Sequence, residues 1–144
     1  MKIISVILVI VQVATTAALC ITAPPICEKP VLLVVQSISL ALLVWTWFYL
    51  VPGKFHILPE TIRGARLVIS GPYRFIRHPM YLSLLLYLVP LLINFFSWLR
   101  LAILLVFVTN MIIKIYFEER HLKSKFPEYA EYARRTYRVL PYIY

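Results

Sequence analysis

Three short stretches concentrate the side chains of this sequence that can do chemistry. Residues 70 to 83 read SGPYRFIRHPMYLS and pack Arg74, Arg77, His78, Tyr73, Tyr81, Pro72 and Pro79 into fourteen positions. Lys114, Tyr116, Glu118, Glu119, Arg120 and His121 follow in a second stretch, and Tyr129, Tyr132, Arg135 and Arg138 in a third. Arginine, histidine and tyrosine together bind anionic or polar groups through charge-assisted hydrogen bonds. Carboxylates at a membrane boundary are costly unless paired or used, and Glu118 and Glu119 are two of only six in the chain. Plainer alternatives exist for both. The loop can be a proline-stiffened, basic approach to a helix, with its arginines near lipid phosphates and its tyrosines anchoring the interface. The acids can sit in Lys114–Glu118 and Glu119–Lys123 pairs of i,i+4 spacing, each contributing roughly 0.3–0.5 kcal/mol.

Several chemistries are excluded by spacing. Gly53, Gly64 and Gly71 make no GxGxxG or phosphate loop. His56, His78 and His121 show no HExxH spacing, the chain has no Asp, and Cys20 and Cys27 form neither a CxxC pair nor a disulfide framework, so no metal site is expected and both cysteines read as structural. No serine stands in a GxSxG context.

The elements that must position these residues are apolar. Of 144 residues 62% are hydrophobic, and the mean hydropathy is +0.83, which excludes an ordinary water-soluble domain. A span needs ~20 mostly apolar residues, and runs at 3–21, 31–51, 80–93 and 101–117 qualify, the last two as a hairpin broken by Pro90, Asn94, Ser97 and Arg100. Lys2 precedes the first run as in a signal peptide, but Leu19 before Cys20 and the proline after ITA disfavour cleavage, so it reads as a retained span. The expected architecture is an all-α integral membrane helical bundle of about four transmembrane helices, a single domain over 1–144 with a loop at 52–79 and a helical tail at 118–144. In the tail, Pro127 can open a helix whose aromatic face holds Tyr129, Tyr132, Ala133, Thr136 and Tyr137, with Arg135 and Arg138 on an adjoining face until Pro141 ends it.

The formal charge of +9 admits nucleic acid binding, but its distribution favours topology. All basic residues except Lys29 and Arg100 fall on one side of the expected bundle. The positive-inside rule then makes the protein multi-pass with cytoplasmic N- and C-termini, so loop and tail meet at one face.

Arg77-His78-Pro79-Met80-Tyr81, a hydrophobic hairpin, then Glu118-Glu119 and Leu122, closely resembles the bipartite cofactor motif of the isoprenylcysteine carboxyl methyltransferase family. Phe126, Glu128, Tyr129, Tyr132, Arg135, Arg138 and Pro141 continue the likeness in order and spacing, so that it covers residues 70 to 144, with Ser83 standing where the family usually has glycine. The resemblance implies a membrane methyltransferase using S-adenosylmethionine. Arg77, His78, Pro79 and Tyr81 would line the cofactor from one side, Glu118, Glu119 and Leu122 from the other, with Tyr129 and Tyr132 completing the pocket. The partners implied are membrane lipids and a lipophilic or prenylated acceptor, with no nucleic acid and no metal. A carboxylate acceptor needs a cationic clamp, for which Arg135 and Arg138 are the candidates.

Membrane phospholipid N-methyltransferases carry a similar motif. Their amine acceptor, with a pKa near ~10, would require Glu119 as a base. An NADPH-dependent membrane reductase of the sterol reductase type and a non-enzymatic lipid-binding scaffold are the readings from other classes.

Overall fold

A computed structural model describes residues 2–50 and 67–141. The last position of the expected second span, residues 52–66 of the expected loop and residues 142–144 of the tail lie outside the described residues. Five helices follow one another: α1 (Lys2–Thr22), α2 (Pro30–Leu50), α3 (Pro79–Asn94), α4 (Trp98–Lys125) and α5 (Tyr129–Arg135). The described residues form a helical membrane bundle with no strand. A lipid-exposed backbone must satisfy its own hydrogen bonds, and uncapped apolar runs of this length do so only as helices.

α1, α2 and α4 are long and apolar enough to cross a membrane, whereas α3 is a shorter apolar helix of 16 residues. Ile3, Ile10, Val31, Ile38, Leu105 and Ile112 point outward, as lipid-facing side chains do. The helices pack as antiparallel pairs, α1 on α4 and α2 on α3. Asn110 Nδ2 of α4 donates to the Leu8 carbonyl of α1 at 3.0 Å. On the other pair, buried Ser39 of α2 donates to the Ser83 carbonyl of α3 at 2.7 Å. Small residues allow such close approach between helices, and Ser83 fits because its own hydroxyl folds back onto the Met80 carbonyl at 2.7 Å.

A core of Leu19, Leu88, Leu91, Phe107, Met111 and Ile115 joins α1, α3 and α4 and takes in Tyr81 and Val139. At the end away from the chemistry, Arg100 donates to the carbonyls of Thr22 and Phe95. Gln36 accepts from the Cys27 N–H at 2.9 Å, and Tyr87 donates to the Pro25 carbonyl at 2.7 Å. The breaker-rich turn therefore has side-chain partners for its backbone.

Two elements differ from the sequence expectation. α4 does not end at 117 but runs unbroken for 28 residues, about 42 Å at ~1.5 Å per residue. The hydrocarbon core is ~30 Å thick, so about eight residues project beyond it, and Glu118, Glu119 and Leu122 ride on that rigid extension instead of on a tail. α5 is also shorter than expected: it spans Tyr129–Arg135, and Thr136 is already extended. Its end is set by Arg77, whose Nη1 donates to the Ala133 carbonyl at 2.9 Å and also to the Thr136 carbonyl, capping the carbonyls a helix terminus leaves open. Beyond it the chain swings back, and Tyr137 forms a parallel bridge with Ile76.

Candidate functional site

The loop before α3 is folded by Gly71 and three backbone hydrogen bonds. Gly71 sits at φ +60°, the left-handed region, and a Cβ there would meet the Tyr49 ring of α2 at 2.6 Å. Glycine is therefore required twice, by conformation and by close approach. A 3₁₀ turn over Gly71–Arg74 follows. Then Arg77 N–H donates to the Tyr137 carbonyl at 2.8 Å, His78 N–H to the Arg138 carbonyl at 2.9 Å, and Tyr137 N–H to the Phe75 carbonyl at 3.1 Å. Buried Pro79 opens α3 at its first position, where its missing N–H costs nothing.

These contacts bring loop, α3, α4 and tail to one buried cluster around Glu119, which is 4% exposed. Arg77 Nε donates to Glu119 Oε1 at 2.8 Å, with both side chains buried. Arg138 Nε donates to Oε2 at 3.2 Å from a half-buried position. Both oxygens of Glu119 are thus engaged by guanidinium groups, and the expected Glu119–Lys123 pair gives way to them.

Glu118 occupies a second position on the same helix end and is less enclosed. Tyr81 donates its hydroxyl to Glu118 Oε1 at 2.7 Å, and Lys114 Nζ stands 3.9 Å from the same oxygen, the expected i,i+4 pair. His78 lies between the two carboxylates, its Nδ1 3.6 Å from Glu118 Oε2 and its Nε2 3.6 Å from Glu119 Oε1. Its ring stacks on Tyr81 with centroids 5.4 Å apart. Neither distance is a hydrogen bond, and His78 Nε2 and the Tyr129 hydroxyl are buried without a partner. Such buried atoms in a native protein call for a partner, whether water, an ion or a ligand.

The tail supplies the last wall. Tyr129 is 1% exposed, and its ring meets Tyr132 edge-on at 5.8 Å. Tyr132 donates its hydroxyl to the Tyr73 carbonyl at 2.7 Å. Burial pushes the Tyr132 phenol up to about 12, against the opposing pull of Arg77. Burial, joined by nearby Glu119, also raises Tyr129, while for Tyr73 burial is joined by Tyr132 and Glu118. All three phenols therefore stay neutral donors at physiological pH.

Of the residues singled out from sequence, Arg77, His78, Pro79, Tyr81, Glu118, Glu119, Tyr129, Tyr132 and Arg138 are brought together. Leu122 is half-buried on the same helix, where its carbonyl accepts the Phe126 N–H at 2.9 Å. Arg135 is not brought in. It pairs with Glu131 one turn back, with side-chain exposures of 76% and 63%. Because α5 ends at Arg135, the helical spacing that would have set Arg135 beside Arg138 does not extend that far. Sequence reasoning paired Lys114 with Glu118 but passed over Gln12, which accepts from Lys114 Nζ at 2.8 Å, although polar residues inside apolar spans signal function. Among the described residues, no group of three or more His, Cys or Glu is placed to hold a metal ion.

Fold and site together define a membrane-embedded helical protein whose polar centre sits where a long helix leaves the bilayer. The chain belongs to the phospholipid methyltransferase family, whose model matches residues 30–129. The motif likeness drawn from residues 70 to 144 is borne out at that level. Over 80 residues the chain is 45% identical to the cobalt-zinc-cadmium resistance protein CzcN of Cupriavidus metallidurans, an alignment covering 55% of this chain and 37% of that protein. The chain thus spans little more than a third of that relative's length. No solved structure matches.

Proposed function

We propose that the protein is an integral membrane methyltransferase that uses S-adenosylmethionine and methylates the carboxylate of a lipophilic acceptor, an isoprenylcysteine-like molecule being the first candidate. The observation that carries this reading is the convergence of His78 and Tyr81 from the start of α3 and Glu118 from α4 on a wall built by the Arg77–Glu119–Arg138 cluster. The residues fit the cofactor's chemistry. Glu118 suits a cationic amino or sulfonium group, while the unpartnered His78 Nε2 and Tyr129 hydroxyl suit its polar groups. When bound, S-adenosylmethionine supplies a methyl group carried on a cationic sulfur.

The protein's task is then alignment, which contributes up to ~7–11 kcal/mol when well-oriented groups react. A carboxylate acceptor, with a pKa near ~4, is already ionised at neutral pH and needs no base. Glu119 supports that choice over an amine acceptor, because a carboxylate with guanidinium groups on both oxygens is a poor base. Arg138, half-buried at the edge of the cluster, takes the clamp role toward the acceptor, and the outward-facing Arg135 does not. The acceptor's lipid tail would reach the site from the bilayer between the helices. Basic residues crowd the site-bearing end of the bundle, which supports a cytoplasmic position for that face and for both termini.

Calorimetric titration of the detergent-purified protein tests the reading. Saturable micromolar binding of S-adenosylmethionine, weakened at least roughly tenfold in Glu118→Gln by loss of a charged contact, is expected. Binding of NADPH in its place would instead favour a reductase. Acceptors are separated by the pH–rate profile: turnover of a prenylcysteine analogue should be flat above neutral pH, whereas phosphatidylethanolamine would require turnover to rise as its amine loses a proton.

A further inference from the structure

We infer that Lys114, held by Gln12 of α1, is a positioning residue for Glu118, which makes α1 a working part of the cofactor site; this rests on the cofactor reading above. The family match begins at residue 30 and so leaves α1 outside it. Lys114 nonetheless joins α1 to the site. A lysine near a membrane boundary ordinarily extends its ammonium toward water, yet Lys114 is only 9% exposed and turned into the bundle. Its Nζ donates to Gln12 Oε1 at 2.8 Å, stands 3.9 Å from Glu118 Oε1 and lies 5.3 Å from the centre of the Tyr81 ring.

Glu118 Oε1 is the atom that accepts the Tyr81 hydroxyl. Lys114 therefore touches both members of that pair, and Gln12 is its direct hydrogen-bond acceptor. A neutral amide oxygen holds the ammonium beyond hydrogen-bonding distance of the carboxylate. The charge steadies Glu118 in its orientation while the carboxylate oxygens stay with Tyr81 and the ligand. α1 and α4 do not need this contact merely to adhere, because Asn110 bonds to the Leu8 carbonyl one turn away.

The test is calorimetric binding of S-adenosylmethionine to four folded variants. Lys114→Met and Gln12→Leu should each weaken binding by roughly three- to tenfold, the scale of one lost polar contact. Gln12→Glu, whose charged carboxylate competes with Glu118 for the ammonium while still holding α1 to α4, should weaken binding as well, and Asn110→Leu should stay within roughly twofold. Should Lys114→Met fail to fold, Gln12→Leu, which removes only the acceptor, decides. Wild-type affinity in Gln12→Leu would overturn the inference. So would an Asn110→Leu loss as large as that of Gln12→Leu, since packing of α1 on α4 would then explain both. Absence of binding by the wild type is a different result, and refutes the cofactor reading itself.

Discussion

Replacing Glu119 by Gln isolates the electrostatics of the buried cluster, because the amide keeps the shape and removes the charge. Two guanidinium groups lose their counter-charge in that variant, and burial decides which matters. Arg138 is 39% exposed, so its pair behaves as a surface contact worth ~0–1 kcal/mol. The Arg77 side chain is 8% exposed and its partner 6%, and removing one member of such a pair costs ~3–5 kcal/mol because a charge stays buried and uncompensated. Arg77 keeps two carbonyl acceptors in α5, Ala133 and Thr136, which places the cost near the lower end, ~3 kcal/mol. For a chain of this size that is a fall in Tm of roughly 10 °C, read by thermal unfolding in detergent. Glu131→Gln, which breaks the exposed pair with Arg135, is the control and should shift Tm by no more than ~2 °C. The double variant Arg77→Met with Glu119→Leu should recover only part of the loss, because removing the buried pair also strips the Ala133 and Thr136 carbonyls of their Arg77 donor. Equal shifts for Glu119→Gln and Glu131→Gln would refute the idea that Glu119 holds loop, helix and tail together.

Gly71→Ala should destabilise by at least ~1–2 kcal/mol from the left-handed backbone alone, with a further loss from the Tyr49 ring 2.6 Å from the new Cβ. Adding Tyr49→Ala should return only the second part, and full recovery would show that the backbone carries no strain. Arg138→Ala should raise the acceptor KM, while Arg135→Ala, whose side chain is exposed, should leave KM and cofactor affinity within roughly twofold; a tenfold loss in Arg135→Ala would return that residue to the site. Stability should fall as the pH rises from 10 toward 12, because the unfolded Tyr132 phenol titrates at 10.0 and the folded one at about 12. The unfolded state loses its proton first, so the contribution is fully present below pH 10 and is lost through the folded value. Tyr132→Phe should flatten that part of the pH–stability curve, and an unchanged slope would assign it to other groups.

What could be read from sequence was whatever has a local signature. The apolar runs marked the helices, and Pro79 marked the start of α3. The crowding of Arg77, His78, Tyr81, Glu118 and Glu119 marked the site. Partnerships between distant residues left no such trace. That Glu119 takes Arg77 and Arg138 in preference to Lys123 depends on a chain reversal at Thr136, which no periodicity announces. Helical spacing carried Arg135 into the site only by assuming that α5 continues. It ends because Arg77, 56 positions from Ala133, takes up its carbonyls. Gln12 and Lys114 were visible as polar intrusions in apolar segments, but their meeting depends on how α1 packs on α4.

The return of residues 137–139 to the loop at 75–78 also bears on how the protein is made. Val139 is 1% exposed and belongs to the same core as Leu19 and Phe107, and the Tyr137 and Arg138 carbonyls cap the loop's N–H groups. All five helices can therefore be synthesised, and those in the bilayer inserted, while the site still lacks a wall. Its completion has to wait until residue 139 has left the ribosome and closed a long loop back onto Ile76, an entropic cost that grows only slowly with loop length. A nascent chain is then membrane-integrated before it is competent to bind. A chain cut just after α5 should accumulate at that earlier stage, inserted and helical but without a closed site.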